Sequence, residues 1–145
     1  MKKRIAVLLV LILVLTMTAC GAPEPTPLDG KWVAMAGEMM GIQVPIADVM
    51  GGDFYFEILG EGKVTVTVDD KSEKDSWSLD GTQFTLNIRG ADPCVGTWDG
   101  DMIVFDDMLG SGLTMIFGRE GTDAADPANY GNVDDIMSMI EGLGE

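Results

Sequence analysis

Between Lys31 and Gly118 apolar and polar residues alternate over short stretches, each interrupted by Gly and Asp. In KVTVTV, Val64, Val66 and Val68 fall on one side of an extended chain and Thr65 and Thr67 on the other. FTLNI repeats the pattern, with Phe84, Leu86 and Ile88 set against Thr85 and Asn87. A period of two buries one face and wets the other, which predicts antiparallel strands. Eight are predicted, over about 31–36, 53–59, 62–68, 75–79, 82–88, 94–98, 101–106 and 112–118. Asp80-Gly81 and Asp99-Gly100 mark tight hairpins, because such pairs supply the positive φ values of a two-residue turn. LGEGK and LGSGL are longer glycine-bearing turns. SLDGTQFTL and TWDGDMIVF echo one another, but only twice, which is repeated hairpin grammar rather than a solenoid. Eight short strands joined mainly by tight hairpins can close into an up-and-down barrel, which removes exposed edges. The expected fold is therefore all-β, an eight-stranded antiparallel up-and-down barrel, with an open sheet or sandwich as the alternative.

Upstream the pattern changes. Lys2, Lys3 and Arg4 precede eleven uninterrupted apolar residues, 5–15, and the run ends in Thr16, Met17, Thr18, Ala19 and Cys20. A spanning helix wants ~20 apolar residues and a signal-peptide core ~7–15, so residues 1–19 are predicted to be a signal peptide. Met17, Thr18, Ala19 and Cys20 resemble the bacterial lipobox, with Met17 where Leu is usual. The resemblance implies a lipoprotein: cleavage before Cys20, a diacylglyceryl thioether on its sulfur, and often acylation of the new amine. Each buried methylene contributes ~0.8 kcal/mol and one chain holds only marginally, so stable anchoring takes two or three. Residues 20–28 then form a tether, in which Pro23, Pro25 and Pro27 favour polyproline II at ~3.1 Å per residue. The expected location is the extracytoplasmic face of a bacterial cell membrane. Gly21 is not the aspartate linked with inner-membrane retention, and the short apolar core and Pro-bearing tether favour a Gram-positive surface.

Charge sharpens this picture. The chain has 9 basic and 24 acidic residues, a net −15, and the predicted signal holds three of the basic ones and no acid. The mature chain therefore carries 6 basic and 24 acidic residues, a net −18. Nucleic acid is excluded as a partner, since phosphate binding needs clustered Lys and Arg. Acylation would use Cys20 and leave Cys94 unpaired, so no disulfide is expected and Cys94 is read as a small buried residue. With no histidine there is no Ser-His dyad, no activated thiolate and no His-ligated metal. Asp99, Asp101, Asp106 and Asp107 lack the EF-hand order, and the intervening strand separates the pairs by ~15 Å. They are read as turn and solubility residues, as are the charged residues 69–75. Neither enzymatic activity nor a metal or other cofactor is expected.

LDGKW, ahead of the first predicted strand, resembles the Gly-x-Trp motif of lipocalin-like barrels, with Gly30 and Trp32 in the matching positions. The resemblance covers about residues 28–120 and implies that Trp32 closes one end of the barrel while Arg119, after the last strand, packs over it. Residues 29–120 are taken as this domain. The connection 37–52 is too apolar for an idle loop. Lipocalin-like proteins carry a lid over the barrel mouth there, which makes Met39, Met40, Ile42, Val44, Ile46 and Met50 candidate ligand-binding residues. Flexible, polarizable methionines suit varied apolar guests. Equally, the segment could plug the barrel or form a short helix on it. Residues 121–145 are a polar linker followed by an amphipathic helix with Val133, Ile136, Met137, Ile140 and Leu143 on one side. Asn132 is its expected cap. The expected function is a membrane-anchored module binding a small apolar ligand in the barrel. The alternative is an envelope interaction or structural protein using its outer sheet or C-terminal helix.

Overall fold

The computed structural model describes residues 21, 23–131, 138, 141 and 142. Cys20, the predicted signal and almost all of the predicted C-terminal helix lie outside these residues. The strands are β1 (Gly30–Met39), β2 (Ile42–Pro45), β3 (Phe54–Ile58), β4 (Lys63–Val68) and β5 (Lys71–Asp80). They continue as β6 (Gln83–Asn87), β7 (Cys94–Asp99), β8 (Met102–Phe105) and β9 (Thr114–Arg119). A short helix, α1 (Ile46–Met50), links β2 to β3. From β3 to β9 each strand pairs antiparallel with the next, and β1 pairs with both β3 and β9. The result is a closed, eight-stranded, up-and-down barrel. β2 is a ninth strand that hydrogen-bonds only to β1.

The ninth strand takes up much of the apolar stretch 37–52, and Ile46–Met50 forms the short helix expected as one reading of this segment. β1 is long enough for two partners in succession: Gly30–Val33 pairs with β3, and Ala36–Met39 pairs with β2. The hairpin turns at Met40 and Gly41, both at positive φ (55° and 79°), the combination a type I′ turn demands. A bulge between Ala34 and Ala36 shifts the register of β1 against β9, so that Gly37, opposite Met115, takes the inward position.

β5 also departs from expectation. It begins at Lys71 rather than 75, because Asp69 and Asp70 both adopt positive φ (48° and 65°) and reverse the chain in two residues. Thr67 and Ser72 then meet across the ladder with their hydroxyls 2.8 Å apart. At the other hairpins the two-residue loops are Gly81–Thr82 and Gly100–Asp101, with the preceding aspartates paired to Gln83 and Met102. The glycine alone supplies the positive φ there, 63° at Gly81 and 60° at Gly100.

The alternation read from the sequence fills the shaft with aromatic rings. Phe56 lies 6.4 Å from Trp32, 5.9 Å from Phe84 and 4.9 Å from Phe117, centroid to centroid. Phe84 in turn meets Trp77 at 5.7 Å and Phe105 at 6.0 Å. Trp32, Phe56, Phe84, Phe105 and Phe117 are all fully buried. Gly96 faces this crowd from β7: a Cβ there would come within 2.6 Å of the Val104 carbonyl and 2.8 Å of the Phe105 ring. Among the described residues the buried hydrophobic core lies between Leu28 and Phe117. Cys94 is buried and free.

Candidate functional site

Strand direction gives the barrel two unlike ends. β1 starts, and β3 and β9 finish, at one end, where Trp32 pairs with Phe56 and Arg119. This end is sealed. The Trp32 indole N–H donates to the Leu28 carbonyl at 2.9 Å, and Leu28 is itself fully buried. The Arg119 guanidinium lies 4.7 Å from the Trp32 ring. Its Nη2 donates to the Pro27 carbonyl at 2.6 Å and its Nη1 to the Asp29 carbonyl at 3.3 Å. Nε, 3.3 Å from Asp101 Oδ1, forms an ion pair without hydrogen-bond alignment. Asp29 Oδ1 accepts from the Thr26 hydroxyl at 2.7 Å and the Gly60 N–H at 2.9 Å. The Thr26 hydrogen bond leads in holding the Asp29 carboxyl below its ordinary pKa, helped by the Gly60 N–H and the Arg119 charge against an opposing cost of burial. Gly30 opens β1 at φ 135° and is exposed. Arg119 thus packs over Trp32 at the sealed end, as the resemblance implies, beside the exposed Gly30.

The other end is open, and two of the hollows there are lined largely by apolar side chains. The first, about 380 Å³, lies against the hairpin β1–β2. Pairing of Gly37 with Val44 and of Met39 with Ile42 puts these four on one face of the hairpin, and Ile46 and Leu113 complete the wall. Every lining residue is apolar or glycine. Met40, at the tip, is 96% exposed, while Met39 (50%), Ile42 (48%) and Met50 (42%) are half-covered. Ile46 is instead buried and belongs to the core. The six residues singled out from sequence therefore divide. Met39, Met40, Ile42, Val44 and Ile46 come together in this groove; Met50 lies beyond it, at the end of α1.

The second hollow, about 410 Å³, opens beside β5. The register pairs Val64 with Asp75, Val66 with Glu73 and Val68 with Lys71, so three charged residues share the face of three inward valines. Apolar surface opposes them: Phe54, Ile88, Ala91 and Leu109. β6 ends at Asn87, so residues 71–75 lack a partner on that side. The gap is crossed once, where the Arg89 N–H donates to Asp75 Oδ1 at 2.9 Å. Asp75 Oδ2 is shielded from solvent and has no partner. Leu109 holds its side chain at the rim with φ 59° and 57% exposure, a costly conformation for a bulky residue.

KSEKD reads as a solvated tip, and Lys71 to Lys74 are indeed exposed, but that reading does not show that Lys71, Glu73 and Asp75 line a hollow. The signal was present: Lys71, Glu73 and Asp75 continue the period of two that Trp77 and Leu79 set inward. A larger crease of about 530 Å³ runs along the outer wall, where Pro23 and Leu59 overhang Glu57, Lys63 and Lys74. Pro23 is its contact from the N-terminal segment, and Asp75 lines it as well as the second hollow. Asp107 is engaged in turn chemistry, its Oδ1 accepting from the Gly112 N–H at 2.7 Å, and Asp101 pairs with Arg119. Among the described residues no three Asp, Glu or Cys side chains converge as metal ligands, and no helix is long and apolar enough to cross a membrane. Comparison of the chain with protein-family models, with curated proteins and with solved structures gives no match.

Proposed function

We propose that this protein is a membrane-tethered binding module that takes a small apolar molecule at the open end of its barrel, not in the shaft. The supporting observation is the all-apolar groove under the hairpin, which leaves Met39 and Ile42 half-exposed and Met40 almost wholly so. The shaft cannot serve, because stacked aromatic rings occupy it. Covering Met39 and Ile42 with a guest contributes roughly 1 kcal/mol apiece, half of what full burial of such a side chain gives. In this reading the predicted acylated Cys20 lies upstream of the sealed end, so the groove is presented away from the bilayer. The lipocalin-like resemblance remains part of the proposal through Gly30, Trp32 and Arg119, which act as the end seal.

The test uses the chain from Gly21 onward and Nile red as a neutral apolar probe. Met39→Asp combined with Ile42→Asp should weaken probe binding about tenfold while leaving the unfolding midpoint within a few degrees, since both side chains are half-exposed. Unchanged affinity would remove the groove from consideration. Tethering is tested separately, by intact mass of the protein extracted from membranes. Retention of Met1 or an unmodified Cys20 sulfur refutes it.

A further inference from the structure

The hairpin groove lies open among the described residues, and the chain itself passes beside it. Gly37, Met39, Ile42 and Val44 turn one face of the β1–β2 hairpin to the groove, while Glu38 and Gln43 pair on the opposite face. Residues 122–130 lie against the outer wall, where Ala124 meets Gly118 and the Tyr130 hydroxyl donates to the Ala124 carbonyl at 2.7 Å. From there the chain arrives at β2: a Cβ on Gly131 would stand 3.6 Å from the Gln43 carbonyl oxygen. Beyond this point Val133, Ile136, Met137, Ile140 and Leu143 recur at helical spacing. Ser138, Glu141 and Gly142, the described residues of this stretch, are helical and exposed. At about 100° per residue they fall on the side away from the apolar stripe. An isolated helix shorter than ~12–15 residues is marginal in water, so a helix over 133–143 needs a surface for its stripe.

Two surfaces stand within reach of Gly131, and their chemistry differs. The outer face of the hairpin offers Glu38 and Gln43, whereas the groove is lined only by apolar residues and glycine. The lengths match, since residues 133–143 span ~15 Å at ~1.5 Å each and the four residues of β2 span ~13 Å at ~3.3 Å each. Attachment at Gly131 also holds the segment at an effective concentration on the order of millimolar, so even a weak contact is populated.

We propose that residues 133–143 dock as a helix in the hairpin groove, with Ile136 and Ile140 set against Met39, Ile42 and Val44. The chain thus supplies the groove's own occupant, which a guest must displace. That competition rests on the function proposed above; the docking does not.

Isotope-labelled methionine-methyl NMR on the chain from Gly21 onward reads the contact directly, because Met39 and Met40 line the groove and Met102 lies on the outer wall beside Tyr130. Ile136→Asp with Ile140→Asp should shift the Met39 and Met40 methyl resonances and leave Met102 in place, with cooperative unfolding as the check on the fold. Nile red should then bind about tenfold more tightly, since the helix no longer competes. Glu141→Gln, on the exposed side, should do neither. If the double variant does not unfold cooperatively, Ile140→Ser alone should shift the same two methyls. Unmoved Met39 and Met40 methyls, or a shift confined to Met102, would place the helix elsewhere and overturn the proposal. Shifted methyls with an unchanged Nile red affinity would overturn the competition. Shifted methyls with no Nile red binding in any variant would support the docking and refute the guest, whereas Nile red binding with unmoved methyls would do the reverse.

Discussion

Replacing Phe84 by Ala empties the middle of the shaft. Phe84 is fully buried, with Phe56, Trp77 and Phe105 at 5.9, 5.7 and 6.0 Å, so the neighbours that would have to collapse into the space are rigid rings on three other strands. Phe→Ala in a core costs about 3–5 kcal/mol, and poor collapse favours the upper part of that range. For a chain of this length each kcal/mol lowers the midpoint by roughly 3–5 °C, so a drop of about 10–20 °C is expected. Urea and thermal unfolding measure it. The cavity left behind is dry and apolar, and should admit benzene, so that benzene raises the midpoint of the variant and leaves the parent unmoved. A loss below ~1 kcal/mol, or equal stabilisation of parent and variant by benzene, would refute the claim that the shaft is packed and closed to ligands.

Three further outcomes follow from particular contacts. Arg119→Met keeps an apolar stem over Trp32 but removes the cation and its bonds to the Pro27 and Asp29 carbonyls, and should cost about 1–3 kcal/mol by urea unfolding. Gly118→Val should destabilise by more than about 1 kcal/mol, because any Cβ at 118 collides with the Ala124 carbonyl; increased proteolysis within 122–130 would accompany it. Asp29 has its pKa depressed in the folded state, so its contribution is present above the unfolded value and disappears as pH falls through the lower folded value. Stability measured from about pH 5 down to about pH 2 should therefore decline less steeply in Asp29→Asn than in the parent.

The barrel was largely legible because its strands obey one strong rule. Val64 and Val66, and Phe84 and Leu86, are buried as the alternation asks, while at the end of β4 Thr67 is buried against Ser72 and Val68 is only half-buried. The end seal was legible for a different reason, since Gly30, Trp32 and Arg119 sit at fixed places at the start of the first strand and the end of the last. What could not be read was how β1 shares its edge. The apolar segment 37–52 reads as lid, plug or short helix, and the hairpin it also forms turns on a positive φ at Met40, a residue type that seldom adopts it. Residues 71–74 are exposed, as a hairpin tip should be, but their place in a strand is hidden because charge on both faces masks a period of two. The clue lay only in pairing with β4, which is a property of the folded sheet rather than of the segment.

The sewing of residues 24–29 to the sealed end also has a mechanical consequence. The Glu24 carbonyl accepts from the Glu61 N–H, Pro27 and Asp29 are gripped by Arg119, and Leu28 is sunk beneath Trp32. A pull on the chain upstream of Pro23 meets these contacts first and then runs lengthwise into β1. Because β1 is laddered to β3 on one side and β9 on the other, the load falls as shear across both ladders at once, the direction in which a sheet resists longest. Pulled from its N-terminal side, the domain is therefore expected to resist through both ladders together.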